Sequence, residues 1–391
     1  MEHLKIFAKT FEEEARLQVE KLAKLDAYKD SIIRIMPDAH AGKGCTIGTT
    51  MTIKDKITPN LVGVDIGCGM LVIPLRKKIT DFDTFDKHLR ENMPSGFDIH
   101  EKPVSDVSKR LATMIDDLRC KSAVDIDYAL RSVGTLGGGN HFVEIDEDEH
   151  GNQYLVIHSG SRNLGVRVAN YYQKIAEKEC SKSEGLHEMI ESLKAQGREK
   201  EISEIIKTAK SQRVPKDLAY VSGDSFYDYL HDMNICQWYA SMNRMYIADE
   251  LLGDTSWIQD EWFYTTHNYI DIANMVLRKG AVSARDGERL IIPMNMRDGS
   301  LICIGKGNED WNCSAPHGAG RLMSRSEARK ILKIEDFKNS MDGIFTTSAD
   351  ETTIDEAPMA YKSATEIMEL IEPTVSIESV IRPLYNFKAQ G

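Results

Sequence analysis

The chain has no run of about 18 uninterrupted apolar residues, so nothing in it reads as a membrane span. It has no CxxC pair: its seven cysteines are odd in number and scattered. That argues against a disulfide framework and makes most of them expected buried small hydrophobes. The first residues, Met1-Glu-His-Leu-Lys-Ile-Phe, lack a signal peptide's apolar stretch, so the default expectation is a cytoplasmic protein. Positive charge is in short supply, with 49 Lys and Arg against 61 Asp and Glu for a formal net charge of −12. That disfavours a broad nonspecific grip on phosphate backbones, although net charge does not set the charge of any one pocket. There is no internal repeat and no low-complexity linker.

What remains is an ordinary globular balance, 41% hydrophobic and 28% charged over 391 residues, enough for a large core. Residues 8–27 carry helical spacing in Phe11, Ala15, Leu17, Val19, Leu22 and Leu25. Ile32–Met36 reads as a strand, 46–76 as short strands broken by glycines, and 80–132 as mainly helical. Leu155–Ile157 reads as a buried strand, followed by a helix over 164–180. A charged helical segment is expected over 181–215 and an amphipathic helix over 224–251. Strands return at 281–307, and Ser324-Arg-Ser-Glu327 fits a capping box. The polar glycine loops are far apart in sequence. They point to one interlocked α+β domain spanning 1–391, a mixed β core surrounded by helices.

Five stretches carry chemistry. In Gly63-Val-Asp65-Ile-Gly67-Cys68-Gly69 a carboxylate and a thiol three apart would face opposite sides of a regular strand. Glycine permits a turn that unites them, and together they suit zinc or manganese with imidazoles completing the shell. A tight turn around a buried cysteine is the plain alternative. In Gly137-Gly-Gly-Asn140-His141-Phe-Val-Glu144, a strand would put Asn140 and Glu144 on one face and His141 on the other. The histidine reaches a metal or is satisfied in the core. His158-Ser-Gly-Ser-Arg162 ends an apolar strand and opens a helix, a position suited to an oxyanion; a core histidine is the alternative. Thr265-Thr-His267-Asn reads as the start of a helix, with His267 beside the cap. Pro316-His317-Gly-Ala-Gly320-Arg321 sets a histidine among small residues, leaving room for a phosphoryl group to approach a ring nucleophile; a glycine turn is the alternative. His3, His88, His100, His150, His187 and His231 read as surface or packing residues.

Taken together and in this order, these stretches resemble the RtcB family of RNA ligases from about residue 4 to residue 388. The resemblance rests on Met36-Pro-Asp-Ala-His-Ala-Gly-Lys-Gly, Val64-Asp-Ile-Gly-Cys-Gly, Gly134-Thr-Leu-Gly-Gly-Gly-Asn-His-Phe and Ile157-His-Ser-Gly-Ser-Arg. Arg278-Lys-Gly-Ala, Pro316-His-Gly-Ala-Gly-Arg-Leu-Met-Ser-Arg, the helix from Tyr229-Leu-His-Asp-Met to Asn243-Arg244, and Ala357-Pro-Met-Ala-Tyr-Lys362 complete it. The resemblance implies that Asp65, Cys68, His141, His158 and His267 hold two manganese ions, with Cys68 bridging. It implies that His317 accepts GMP from GTP, and that Asn140, Glu144, Asn295, Gly318, Ala319, Gly320, Tyr361 and Lys388 surround the nucleotide. Lys43, Arg162, Arg285 and Arg321 are weaker candidates for RNA phosphate contacts.

The implied reaction joins an RNA 3′-phosphate or 2′,3′-cyclic phosphate end to a 5′-hydroxyl end, in tRNA splicing or RNA repair. It runs through a histidine–GMP adduct and an RNA–guanylate anhydride. Some members of the family use a small helper, archease; the residues here say nothing of it or of oligomeric state. Two other classes fit parts of the pattern: a binuclear metal-dependent cyclic phosphodiesterase, which does not need His317, and a noncatalytic RNA-end-binding protein. This chain departs from the family where Pro293-Met-Asn-Met-Arg297 replaces the usual Pro-Gly-Ser-Met-Gly, and where it ends Lys388-Ala-Gln-Gly instead of Lys-Gly. Both changes bear on guanine selectivity.

Overall fold

The computed structural model describes residues 3–42, 44–181, 193–194, 196, 198 and 214–389. Most of the charged segment expected over 181–215, together with Lys43, lies outside the described residues. Two sheets dominate. The larger, mainly antiparallel, runs in the order Arg289–Asn295, Gly299–Gly305, Val375–Lys388, Phe142–Glu147, Gln153–Ser159, Gly69–Pro74, Phe263–Thr266. The smaller runs Leu4–Ile6, Ile33–His40, Ile47–Thr52, Val276–Lys279, Asn268–Asp271. With the flanking helices this is the α+β architecture the sequence predicts.

The larger sheet is apolar on both faces. Along Phe142–Glu147, Val143 and Ile145 pack into one cluster with Leu71, Leu155 and Tyr385, while Phe142 joins Met70, Val156, Ile302 and Ile381 in another. This is the period-two alternation of a strand buried on both sides. Among the described residues no helix is long and apolar enough to cross a membrane.

The helix Asp224–Leu252 contains no internal Gly or Pro and is bracketed by Gly223 and Gly253, both at positive φ. Its buried seam runs through Phe226, Tyr229, Met233, Cys236, Tyr239, Asn243 and Ile247, with Gln237 half-buried at its margin. The capping box at Ser324 and Glu327 is present. One expectation fails. Thr265–Ile270 is not a helix start but the end of Phe263–Thr266 and the beginning of Asn268–Asp271, separated by His267 alone. Tyr264, Thr265, Thr266, Tyr269 and Ile270 are β-branched or aromatic, and both sheets offer an edge that pairs with them.

Candidate active site

Strand register assembles the centre of the site. His158 pairs with Phe142 on one side and Met70 on the other, and Gly69 pairs with Ser159 and Thr266. Adjacent strands therefore end at one level, and the residues just beyond them meet: Cys68 before Gly69, His141 before Phe142, His267 after Thr266. The His267 N–H donates to Cys68 O at 2.9 Å, extending the ladder. A turn with Gly67 at φ 73° and Cys68 N–H on Asp65 O brings the carboxylate and the thiol together.

Cys68 Sγ lies 3.4 Å from His141 Nε2 and 3.3 Å from His158 Nε2. Asp65 Oδ2 is 3.1 Å from His141 Nε2, and His158 Nε2 is 3.3 Å from His267 Nε2. The other ring nitrogens of His141 and His158 point at backbone carbonyls, Leu136 O at 2.8 Å and Asn140 O at 3.1 Å. A carbonyl only accepts, so each Nδ1 carries a proton, and the neutral His158 ring presents a lone pair on Nε2. Burial, then the neighbouring imidazoles, push His158 well below the usual histidine range; burial, then His317, do the same to His267. Burial and the Asp65 carboxylate push the Cys68 thiol up. Burial would raise Asp65, but the His141 hydrogen bond and charge outweigh it and hold Asp65 at about 2.

Neutral imidazole nitrogens facing one another, a sulfur and an ionised carboxylate converge with too few protons to pair them. That donor set, a sulfur and imidazoles beside one carboxylate, fits a divalent transition-metal ion. Arg244, buried on the helix Asp224–Leu252, braces the cluster: Nη1 donates to Gly67 O at 3.1 Å and to Ser159 O at 2.7 Å. Asn243 beside it donates to Thr135 O and Ser159 Oγ and accepts from Gly134 N–H.

His317 stands next to this cluster, its ring centroid 5.0 Å from that of His267. Its Nδ1 lies 2.6 Å from Asp38 Oδ2, which also accepts the His317 backbone N–H at 3.2 Å. Asp38 is fully buried in the strand Ile33–His40. Gly320, at φ 75°, lets the chain pass there: a Cβ would sit 2.2 Å from Asp38 O. His40, two residues on from Asp38, is held neutral at about 4, chiefly by burial.

A cavity of about 380 Å³ opens from these residues. Asn140, Phe142, Glu144, Asn295, Gly318, Ala319, Gly320, Tyr361 and Lys388 all line it, with Asp65, Cys68, His158, His267 and His317 at one end. Glu356, almost completely buried in its wall, accepts from Tyr361 Oη at 2.6 Å and pairs with Lys388 at 2.9 Å, Arg325 at 2.7 Å and Arg321 at 3.3 Å. Burial opposes its charge, but Lys388, Arg325 and Arg321 prevail and hold it at about 2. Glu144 has the opposite balance: burial outweighs Lys388 and Asn386 and lifts it to about 7.

The Asn295 amide is committed to its own turn, accepting from Arg297 N–H and Asp298 N–H and donating to Asp298 Oδ2. The Arg321 guanidinium is taken up by Met323 O, Asp355 O, Glu356 and Tyr361. Arg162 holds Thr135 Oγ1 and Gly96 O, and Arg285 holds Asp271; neither lines the cavity. Sequence reasoning missed Asp38, His40, Lys279, Arg325 and Glu356. For the first two a signal existed: an acid and a histidine two apart near the end of a strand share one face.

A family model described as tRNA-splicing ligase RtcB matches residues 18–125 and 107–389. The chain is 31% identical to the RNA-splicing ligase RtcB of Escherichia coli strain K12, covering 95% of this chain and 94% of that protein. It is 26% identical to the tRNA-splicing ligase RtcB of Aeropyrum pernix, covering 93% and 89%, and 25% identical to that of Nanoarchaeum equitans, covering 94% and 89%.

Proposed function

The chain belongs to the RtcB family, and we propose that it is a GTP- and manganese-dependent RNA ligase acting through a guanylated His317. The observation that carries this reading is the Asp38–His317 pair facing the cavity beside the cysteine–histidine cluster. Asp38 fixes the proton on Nδ1 and leaves Nε2 as the nucleophilic nitrogen. A cyclic phosphodiesterase would not need a covalently guanylated histidine.

In this reading His317 Nε2 attacks the α-phosphorus of GTP, the P–N bond forms and pyrophosphate leaves. The ring becomes cationic with its proton still on Nδ1, and the buried Asp38 carboxylate offsets that charge. An RNA 3′-phosphate oxygen then takes the GMP from His317, releasing the neutral ring. A 5′-hydroxyl attacks the activated 3′-phosphate and expels GMP, giving a 3′,5′ bond. Asp65, Cys68, His141, His158 and His267 are the residues that would hold two manganese ions, which bound there would supply charge neutralisation for displacement at phosphorus. Tyr361, Lys388 and Glu356 form the wall against the base, and Asn140 and Glu144 lie toward phosphate and ribose.

The test is incubation of the protein with radiolabelled GTP and manganese, then ligation of a 3′-phosphate or cyclic-phosphate RNA to a 5′-hydroxyl RNA, with ATP in parallel. The expected result is an acid-labile label on wild type, none on His317→Ala, and ligation with GTP. Opening of cyclic phosphates by an unlabelled wild type would establish the hydrolase instead.

A further inference from the structure

Phe97 is 92% exposed, more than any of the other large exposed hydrophobic side chains among the described residues. Single exposed apolar residues are ordinary; what sets this one apart is where its backbone is held. It sits in a turn closed by Asp98 N–H on Ser95 O at 3.1 Å, with Gly96 at φ 64°. That turn is fastened to the site from several directions. Leu136 N–H donates to Pro94 O at 3.0 Å and Gly96 N–H to Gly137 O at 2.8 Å. Arg162 Nη2 donates to Gly96 O at 2.9 Å.

Gly137 opens the loop that delivers Asn140 and His141. A Cβ on Gly137 would meet Arg162 Nη1 at 1.8 Å and His141 Nδ1 at 2.7 Å, so the guanidinium, the imidazole and the Phe97 turn are packed at one spot. Asp65, whose side chain is 32% exposed, is where the ligand cluster reaches solvent. Phe97 is thus a bare aromatic ring on a turn hydrogen-bonded to the Leu136–Gly137 segment that leads into Asn140 and His141, with Arg162 holding the Gly96 carbonyl of that turn. Net charge makes this chain a poor general phosphate binder, so contacts to bases carry more of the grip on RNA. Stacking on an aromatic ring is the contact every base can make.

We propose that Phe97 is a stacking platform for a nucleobase flanking the join in single-stranded RNA. The proposal rests on the ligase reading for its ligand class and goes beyond it by naming a base contact outside the nucleotide cavity.

The test uses the manganese-loaded full chain and two fluorescent single-stranded RNAs, one ending in a 5′-hydroxyl and one in a 3′-phosphate. Each is made with a normal and with an abasic terminal nucleotide, and binding is read by anisotropy. Phe97→Ala is expected to weaken binding of at least one normal RNA by about 5- to 140-fold, and Phe97→Trp to retain wild-type affinity. The loss on Phe97→Ala should vanish with the abasic RNA. Melting temperatures provide the folding control, because an exposed ring contributes little to the core. Equal binding of both normal RNAs by wild type and Phe97→Ala, or a loss that persists with abasic RNA, overturns the proposal. A wild type that binds neither RNA overturns it together with the ligase reading. A wild type that shows the base-dependent loss yet joins no ends overturns the ligase reading alone.

Discussion

The Asp38 carboxylate grips His317 twice through one oxygen, at the ring Nδ1 (2.6 Å) and at the backbone N–H (3.2 Å). One acid therefore sets both the tautomer and the orientation of the ring. Asp38→Asn keeps the shape but offers an amide able to donate to Nδ1, which favours the wrong tautomer. The expected result is a guanylation rate lowered by roughly 10²–10⁴-fold with manganese uptake unchanged, measured by single-turnover labelling with GTP. A variant labelled at the wild-type rate would remove Asp38 from the mechanism.

Cys68 is the point at which His141 and His158 converge. Cys68→Ala is expected to abolish stable metal binding and guanylation together, whereas His317→Ala keeps the metal and loses only the adduct. Elemental analysis and labelling on the same samples separate the two. Undiminished labelling in Cys68→Ala would show that the sulfur is not a ligand.

The Arg244 guanidinium is hydrogen-bonded not to a candidate ligand side chain but to the carbonyls of Gly67 and Ser159, each next to one of those ligands. Arg244→Met should retain most of the buried apolar stem while freeing both loops. A fall of about 10–100-fold in manganese affinity is expected by titration calorimetry. Unaltered affinity would mean the loops are held well enough without it.

Asp146 is fully buried in the strand Phe142–Glu147, and neither of its carboxylate oxygens has a hydrogen-bond partner in the structure. Burial, then the neighbouring Glu144 charge, push it well above the usual carboxylate range. A raised folded-state value means the native protein keeps a proton that the unfolded chain releases. The associated stability is therefore whole at acid pH and is lost as pH rises past the unfolded value of ~3.9 toward the folded one. Asp146→Asn removes that loss. Its melting temperature should exceed wild type at pH 8, with the gap narrowing toward pH 5; a gap of the same size at both pH values would refute the assignment.

The sequence disclosed the candidate ligands more readily than the framework around them. Asp65, Cys68, His141, His158 and His267 each sit in or beside glycine-rich or strand-end segments where a reactive side chain is conspicuous, and the structure gathers them at one end of adjacent strands. Strands and helices with clear periodicity were legible for the same local reason. His267 was misread as a helix start because a six-residue window of threonine, histidine and isoleucine carries no period of its own; two sheets decided it. Asp38 and Glu356 were invisible as partners because their meaning lies in residues far along the chain. Glu356 ends a one-turn 3-10 helix, Ile354–Glu356, and only folding brings Arg321, Arg325 and Lys388 to it. Asn243 and Arg244 lie within the amphipathic helix expected over 224–251, and nothing local shows that their ends reach past the core to loop carbonyls.

His267 is the single residue by which the chain steps from the larger sheet into the smaller. Its ring turns toward His158, which belongs to the first, while Asp38, which steers His317, belongs to the second. Metal binding at the proposed ligands would therefore tie the two sheets together at this residue. Stripping the ions with a chelator should loosen this seam first, so hydrogen exchange ought to quicken at Thr266–Asn268 while the apolar middles of both sheets stay protected.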